Sequence, residues 1–524
     1  MALSFLPELL LLALSLLLVC VVKSRRPSKS LQPTDWPIVG MLPSLIANWN
    51  NIHDYTAASL SASGHNFELR CPLSTSVRYL VTCSPANVRH IFTTNFANYV
   101  KGEKLSAVLG ILGGTIVTAD GASWRRQRDT IHRVMTRPRL QASIYGCCHS
   151  KLAGGLVPLL NHLADARASF DMEDLLGRLV FDITVIAVFS RDPCRLTASM
   201  PPMHVAAAMD TVMEVAVYRD ILPVSFWKTM RWLNIGQERK LAEAEAVLYG
   251  FVAESIQRKM EVTTTTGRST EDDILSHYVV GDLSPDPEFL NHDREPTDFL
   301  IRTFINFMVA MRDPMGSALS WLVYNLATHP HAMLAIREEL APIAAARKSV
   351  GGVVVFEPNE TKDLVYQRAA MFESLRLYPI APLERKEVVA DDVLPSGHKV
   401  RAGCTILIST YSMGRLEQVW GEDCRKYRPE RWLSSKVDGS GHTLRHVPSQ
   451  EFIAFNTGPR ACLGKNISVA LVTSIVATMA WNFDVEVLDS RAVKPKLSVA
   501  LQMKNGFMAK VKRRSGRERQ LIWK

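Results

Sequence analysis

Cysteine is scarce in this sequence, and its spacing excludes two classes of small domain. The 524 residues include nine cysteines, an odd number, and no two of them are placed as C-x-x-C. Secreted disulfide frameworks carry an even set of cysteines, and zinc modules carry them in closely spaced pairs. The sequence therefore predicts free thiols in a reducing compartment.

Patterns typical of nucleic-acid-binding domains are also missing, although the chain carries a net charge of +10. Lysine and arginine are spread along the chain, with local clusters at 125–128 and 510–519. Neither zinc-finger spacing nor an RNA-recognition motif accompanies them. We expect no nucleic-acid partner, and an anionic membrane surface or an acidic protein partner suits the charge better.

Basic residues are absent from the N-terminus until an apolar run has ended. That run, Leu9–Val22, reaches about 20 residues with the segment before it, which is barely the length of a membrane span. A cleaved signal peptide is the alternative, but it would begin with basic residues and end in a small-residue cleavage site. Here Lys23, Arg25 and Arg26 follow the run. We favour an uncleaved single-pass anchor, with the N-terminus in the lumen and the body in the cytosol.

Internal repeats are lacking too, so the sequence divides only by composition. We assign residues 1–23 to the anchor, 24–45 to a basic, proline-rich hinge and 46–524 to one catalytic domain. Helical periodicity dominates that domain, and short β-prone runs interrupt it. The predicted fold is mainly α with a minor β-sheet region. Helical patterns cover 120–260 and 296–345, β-prone runs lie near 67–83, 386–408 and 495–511, and a polar surface connection covers 262–297.

One cysteine lies in a sequence pattern that favours metal ligation. The segment reads Phe455-Asn-Thr-Gly458-Pro-Arg460-Ala-Cys462-Leu-Gly464, and an apolar run of helical length follows it. Glycines allow sharp turns and close approach of a flat ligand. A cysteine just before a helix has its thiolate stabilised by the helix dipole and by free backbone N–H groups. A buried structural cysteine in a turn is the alternative interpretation.

This segment resembles the haem-binding loop of the cytochrome P450 family. The resemblance implies the fold of that family and haem b as the cofactor, with Cys462 as the axial thiolate ligand of the iron. It also implies that Phe455 and Gly464 belong to the cofactor-binding residues of the loop and that Arg460 contacts a haem propionate. Other positions similar to the family's propionate contacts are Trp124 and Arg128, four residues apart on a predicted helix, and Arg385, which is the weaker match.

A second set of residues resembles a structural network of the same family. Glu373 and Arg376 are three residues apart on a predicted helix, and Arg431 follows in Pro-Glu-Arg-Trp. Alone, the first two would be an ordinary surface pair. Together with Arg431, they are similar to the network that holds the core together beside the haem loop.

The sequences of these motifs are most similar to those of plant P450 enzymes that hydroxylate fatty acids and alkanes. That resemblance implies a membrane-bound, monooxygenase-type oxidoreductase of the endoplasmic reticulum with a small-molecule substrate. It also implies NADPH–cytochrome P450 reductase as the electron donor. A basic body suits docking to this acidic flavoprotein, because opposite charges steer the encounter.

The long helix predicted over 296–328 departs from the family pattern. Asp313 keeps the usual acid, but Met311 replaces a glycine, and Pro314 replaces the threonine that handles the iron-bound oxygen. Proline has no N–H for the carbonyl of Ala310, so we expect a kink and a free acceptor there. Asp313 and Pro314 are the candidate catalytic positions. The candidate substrate pocket includes Asn306, Ala310 and Met311.

Three interpretations of Pro314 remain open. It is tolerated drift in a lipid hydroxylase, it marks a haem-binding protein without activity, or it marks altered chemistry. Some plant P450 enzymes that couple phenols carry proline here, among them a branch of amaryllis-type alkaloid biosynthesis that acts on norbelladine-type amines. Intramolecular carbon–carbon phenol coupling of such a substrate is the leading hypothesis. Hydroxylation of a long-chain fatty acid or alkane is the main alternative.

Overall fold

Helices account for most of the fold in the computed structural model, which describes residues 40–70, 78–266, 272–279, 296–347, 352–436 and 441–514. Several helices carry proline in the first turn, where a missing N–H costs no hydrogen bond. The α-helices are α1 Leu42–Ala47, α2 Ile52–Ala62, α3 Pro85–Arg89, α4 Gly102–Leu109, α5 Gly121–Met135, α6 Pro138–Lys151, α7 Val157–Ala166, α8 Met172–Phe189, α9 His204–Ile221, α10 Val224–Leu233, α11 Gly236–Thr266, α12 Ile274–Val279, α13 Pro296–Thr328, α14 Pro330–Ala345, α15 Pro358–Thr361, α16 Val365–Leu377, α17 Thr410–Met413, α18 Glu417–Trp420 and α19 Lys465–Asn482.

The strands form one larger sheet and several small ones. They are β1 Asn66–Arg70, β2 Arg78–Thr82, β3 Tyr99–Val100, β4 Phe170–Asp171, β5 Leu383–Val388, β6 Asp392–Val393, β7 Lys399–Val400, β8 Thr405–Ser409, β9 Leu433–Ser435, β10 His442–Leu444, β11 Phe483–Val487 and β12 Met508–Arg513. The five-stranded sheet has the order β1-β2-β8-β5-β3, and only the β2–β8 pair is parallel. A three-stranded sheet has the order β11-β12-β4. The predicted mainly helical fold with a minor sheet region is confirmed.

Two long apolar helices run through the main hydrophobic core. In α19, residues 469–482 are all buried, as expected of a helix that is apolar on every side. In α13, residues 303–309 are buried, but Ala310 is exposed and Met311 and Pro314 are partly exposed. Ala310 is thus an exposed position between largely buried turns of the same helix.

The predicted strands and the predicted membrane anchor have different outcomes. The β-prone runs at 67–83 and 386–408 contain β1, β2 and the strands from β5 to β8, whereas β11 lies outside every predicted run. The anchor at 1–23 and most of the hinge lie outside the described residues. Within the described residues, no helix is both long and apolar enough to cross a bilayer. The division into anchor, hinge and catalytic domain stays a prediction.

Candidate active site

The cysteine loop, residues 455–464, lies directly before α19 and is held by backbone contacts. The N–H of Cys462 donates to the carbonyl of Phe455 at 2.8 Å. Gly458 has a φ of +65°, and a Cβ there would lie 2.0 Å from the carbonyl oxygen of Phe92. Only glycine satisfies both constraints, so this position fixes the loop against the π-helical turn His90–Thr94.

The Cys462 thiol is accessible, and yet protein surrounds it. The residue is exposed and free, while desolvation raises the pKa of the thiol above its ordinary value. The N–H groups of Gly464 and Lys465 and the charge of Arg128 act in the opposite direction and favour the thiolate. An accessible but desolvated sulfur lies in a concave setting. We therefore place Cys462 at the wall of an internal cleft, as we do the exposed Ala310.

Two of the predicted propionate contacts meet the cysteine loop from α5. Arg128 Nη2 donates to the carbonyl of Ala461 at 2.9 Å, next to the cysteine. The indole of Trp124 is buried, and the Arg460 guanidinium lies 4.6 Å from its ring centroid. Arg460 also bonds to the carbonyl of Ala119 at 2.7 Å and to the carboxylate of Asp120 at 2.6 Å. The structure thus brings Trp124, Arg128 and Arg460 together around the loop.

Strand β5 supplies a residue that the sequence analysis missed. Arg385 forms an ion pair with Asp220 at the end of α9. Lys386, the next residue, is completely buried, and its Nζ has no hydrogen-bond partner in the structure. Burial, together with the charge of Lys101, lowers the pKa of Lys386 to about 7. The contact of Arg385 with a propionate stays a prediction, and Lys386 becomes a second candidate beside it.

The charges around Lys386 and Arg460 do not balance. Four cationic side chains interact electrostatically here, which we call the cationic cluster, and the carboxylates of Asp120 and Glu384 lie among them. The cluster consists of Lys101, Arg128, Lys386 and Arg460. Cationic side chains outnumber carboxylates in this cluster, and Arg460 Nε as well as Lys386 Nζ is buried without a hydrogen-bond partner. Buried charges require counterions, so this cluster fits a ligand with two carboxylates, as haem b has.

The predicted structural network is assembled around one buried carboxylate. Glu373 binds the Arg376 guanidinium through two bonds of 2.8 Å, and both side chains are fully buried. Arg431 Nε lies 3.4 Å from the same carboxylate, and the indole N–H of Trp432 donates to it at 2.9 Å. Arg376 further bonds to the carbonyl of Cys424. The network ties α16 to the segment that precedes the cysteine loop.

Asp313 on α13 lines a polar cavity of about 230 Å³. Arg312 Nη1 lies 3.0 Å from Asp313 and 2.5 Å from Asp210 on α9. Burial raises the pKa of Asp313 to about 6, although Arg312 opposes the shift. Burial alone would lower the pKa of Arg312, but Asp313 and Asp210 raise it. Glu173 lines the same cavity, and burial raises its pKa to about 7.

Pro314 lies inside α13, which continues on both sides of it. The helix has no break at this position, and the expected kink stays a prediction. The chemical consequence of proline still holds, since no N–H at position 314 can donate to the carbonyl of Ala310. That carbonyl belongs to the residue that faces the cleft, so the cleft gains an acceptor where the sequence pattern of the family has a hydroxyl.

These observations define a class of site. An accessible cysteine sulfur in a cleft, next to a cationic cluster that suits a dicarboxylate, fits a haem bound through a thiolate. Comparison with known proteins agrees. The family model for cytochrome P450 matches residues 31–511. This chain belongs to the cytochrome P450 family and is an oxidoreductase of that family, which binds haem b through a cysteine thiolate.

Among individual proteins, two kinds of plant enzyme are similar over nearly the whole chain. Noroxomaritidine synthase 2 of Narcissus pseudonarcissus is 35% identical over 513 residues, 97% of each chain. Alkane hydroxylase MAH1 of Arabidopsis thaliana is 33% identical over 479 residues, 91% of this chain and 92% of that protein. The predicted family, enzyme class and cofactor are confirmed.

Proposed function

We propose that Cys462 is the axial ligand of the haem iron and that the cationic cluster binds the two propionates. The support for Cys462 is its position, since the N–H groups of Gly464 and Lys465 and the charge of Arg128 all favour an anionic sulfur. The support for the cluster is its charge and its two partnerless buried nitrogens. Trp124 orients Arg460 through the ring contact.

We propose further that the enzyme couples two phenol rings within one norbelladine-type amine. The observation that carries this proposal is Pro314, which removes the hydroxyl expected beside the oxygen site on α13. The similarity to noroxomaritidine synthases over 97% of the chain favours the same kind of reaction. When bound, the haem supplies the oxidising power that removes hydrogen atoms from phenols.

The proposed reaction inserts no oxygen. Two O–H bonds of the substrate break, one carbon–carbon bond forms, and dioxygen with two electrons and two further protons leaves as two water molecules. In this reaction the residues of the chain hold the substrate and supply protons. Asp313, with a pKa of about 6, could pass protons from the polar cavity to the oxygen site beside α13 in this proposal. Which carbons join depends on how the cleft holds the two rings.

Hydroxylation of a long-chain fatty acid or alkane is the second candidate function. It is favoured by the similarity to the alkane hydroxylase over 91% of this chain. The apolar face of α13 next to Ala310, which includes Phe307 and partly exposed Met311, would suit a lipid chain as well as an aromatic ring.

Product mass separates the two functions. We would incubate the full-chain holoenzyme with reductase, NADPH and either a bis-phenolic norbelladine-type amine or a C16 fatty acid. Coupling gives a product lighter by two hydrogen atoms, and hydroxylation gives one heavier by one oxygen atom. Oxygen insertion into the lipid, with no change in the amine, would refute the coupling proposal.

The thiolate assignment has its own test. Reduced wild-type protein with carbon monoxide should show the red-shifted Soret band typical of thiolate ligation, and Cys462→Ser should lose it. Cys424→Ser is the matched control, because Cys424 is a buried free cysteine elsewhere in the fold. A band that persists in Cys462→Ser would end the assignment.

We also propose that the protein lies on the cytosolic face of the endoplasmic reticulum membrane and takes electrons from NADPH–cytochrome P450 reductase. The support is the apolar run Leu9–Val22 with basic residues after it, together with the net charge of +10. Apolar side chains exposed on α10 add a second membrane-directed feature, including Trp232 at 82% exposure.

A further inference from the structure

A polar pair interrupts the apolar wall between α13 and the segment before α5. Asn306 on α13 is 3% exposed and Thr115 is 1% exposed. Thr115 Oγ1 lies 2.7 Å from the carbonyl of Leu112 and 3.4 Å from Asn306 Oδ1. Neighbouring residues on α13, such as Ile305 and Met308, are buried and apolar. A buried amide in such a wall requires partners for both of its ends.

Only one end of the Asn306 amide has a partner. Thr115 contacts Oδ1, whereas Nδ2 makes no hydrogen bond in the structure. Nδ2 is nevertheless absent from the fully buried atoms that lack a partner, so it reaches accessible space. An almost fully buried side chain thus directs a single free polar atom into an opening.

We infer that this opening belongs to the cleft in front of Ala310. Asn306 and Ala310 are four residues apart on one helix, so they share a face, and one turn of about 6 Å separates them. Ala310 is the exposed residue of this face. The free amide end therefore lies about one helical turn from the carbonyl left open by Pro314.

We propose that Asn306, positioned by Thr115, binds a hydroxyl group on an aromatic ring of the substrate. This inference rests on the proposed coupling function and assigns the group that holds one of the two rings. A phenolic hydroxyl both accepts and donates, so it matches the amide whichever way the amide faces. An alkane chain offers neither function and leaves the buried amide unsatisfied, which makes the pair a specificity determinant against lipids.

Binding titrations test the proposal without turnover. The probes are a bis-phenolic norbelladine-type amine, its analogue without ring hydroxyls and hexadecanoic acid, and the readout is the spin-state shift of the holoenzyme. Asn306→Leu should weaken binding of the bis-phenol about tenfold or more, which corresponds to one lost hydrogen bond. Thr115→Val should weaken it less. Both variants should bind hexadecanoic acid at least as tightly as wild type.

Ser320→Ala on the same helix is the matched control, because the Ser320 hydroxyl is buried and bonds only within α13. It should leave all three affinities unchanged. If Asn306→Leu binds the bis-phenol as tightly as wild type, this inference fails while the coupling proposal survives. If wild type shows no shift with the bis-phenol, both fail. Equal affinity of wild type for the bis-phenol and its analogue without ring hydroxyls would also overturn the role of the hydroxyl.

Discussion

At the scale of single residues, Lys386 gives the sharpest consequence of the charge imbalance beside the cleft. Its buried ammonium has no hydrogen-bond partner, and its pKa is lowered to about 7. We predict that Lys386→Met stabilises the haem-free protein but weakens the retention of haem. The variant should stabilise the haem-free protein by roughly 2–4 kcal/mol, since no charge is then buried. It should also release haem about tenfold faster or more, because one propionate loses a charged partner.

The pH dependence of the haem-free protein follows from the same shift. A lysine whose pKa falls from 10.5 unfolded to about 7 folded binds fewer protons in the folded state between these values. Stability should therefore rise as pH increases from about 7 towards 10.5. Lys386→Met should remove this rise.

Two measurements check the prediction for Lys386. Denaturant unfolding of haem-free protein gives the stability, and haem transfer to an excess of apomyoglobin gives the release rate. Lys104→Met is the control, because Lys104 reaches only the carbonyl of Gly403 at the surface. Unchanged haem release in Lys386→Met would exclude the residue from propionate binding.

Lys386 also shows where the sequence stops being informative. Consecutive residues of a strand point to opposite faces, so Arg385 and Lys386 cannot both face the same ligand. Motif similarity drew attention to Arg385, which pairs with Asp220 in the structure. Which face of β5 looks towards Arg460 depends on sheet register and on Phe92 packing below Lys386, and no local pattern encodes these.

At the scale of secondary structure elements, α13 combines a conventional helix with an unusual residue. Pro314 leaves the carbonyl of Ala310 without its intrahelical partner. We predict that Pro314→Ala restores this bond, raises stability by roughly 1–3 kcal/mol and lowers coupling activity. Pro314→Thr should likewise lose coupling, since its N–H and hydroxyl both compete for the carbonyl.

Pro342→Ala is the matched control for Pro314→Ala. Pro342 lies inside α14 and is exposed, far along the chain from the candidate site. Its replacement should raise stability in the same way but leave coupling intact. Thermal unfolding and product analysis report the two effects separately. Coupling that persists unchanged in Pro314→Ala would show that the proline is only tolerated.

The elements themselves were largely predictable, and their deviations were not. The periodicity over 296–345 indicates helix, and the structure has α13 and α14 there. Pro314 lies within this helix, which continues on both sides of it and packs on α8, α16 and α19; the predicted kink stays a prediction. Tertiary contacts of this kind override a local helix breaker and cannot be read from the segment alone.

At the scale of the whole molecule, α10 carries apolar side chains that are exposed and do not pack into the core. Trp232 is 82% exposed, and Val224, Phe226, Leu233 and Ile235 are each about half exposed. The segment is amphipathic, and this pattern by itself predicts a helix whose apolar face packs on the core. Only Trp227 of its aromatic residues is buried, under the guanidinium of Arg219. Contiguous exposed apolar side chains of this kind mark an interaction surface.

A lipid surface suits α10 better than a polar partner does. The exposed charged residue on the helix is Lys228, and tryptophan favours the membrane interface. Trp49, near the start of the described chain, stacks on Tyr218 at the end of α9. The start of the described chain thus lies against the end of α9, the helix that directly precedes α10.

We therefore predict that α10 inserts into the lipid interface when the full chain is reconstituted in vesicles. Brominated lipids should quench part of the tryptophan fluorescence, and Trp232→Phe should lower the quenched fraction because this indole is the most exposed one in the part of the chain that the structure describes. Trp420→Phe is the control, since Trp420 is buried at 5% exposure and should leave that quenching in place. Equal loss of quenching in the two variants would place α10 away from the bilayer, and the apolar surface would then have to be covered by protein.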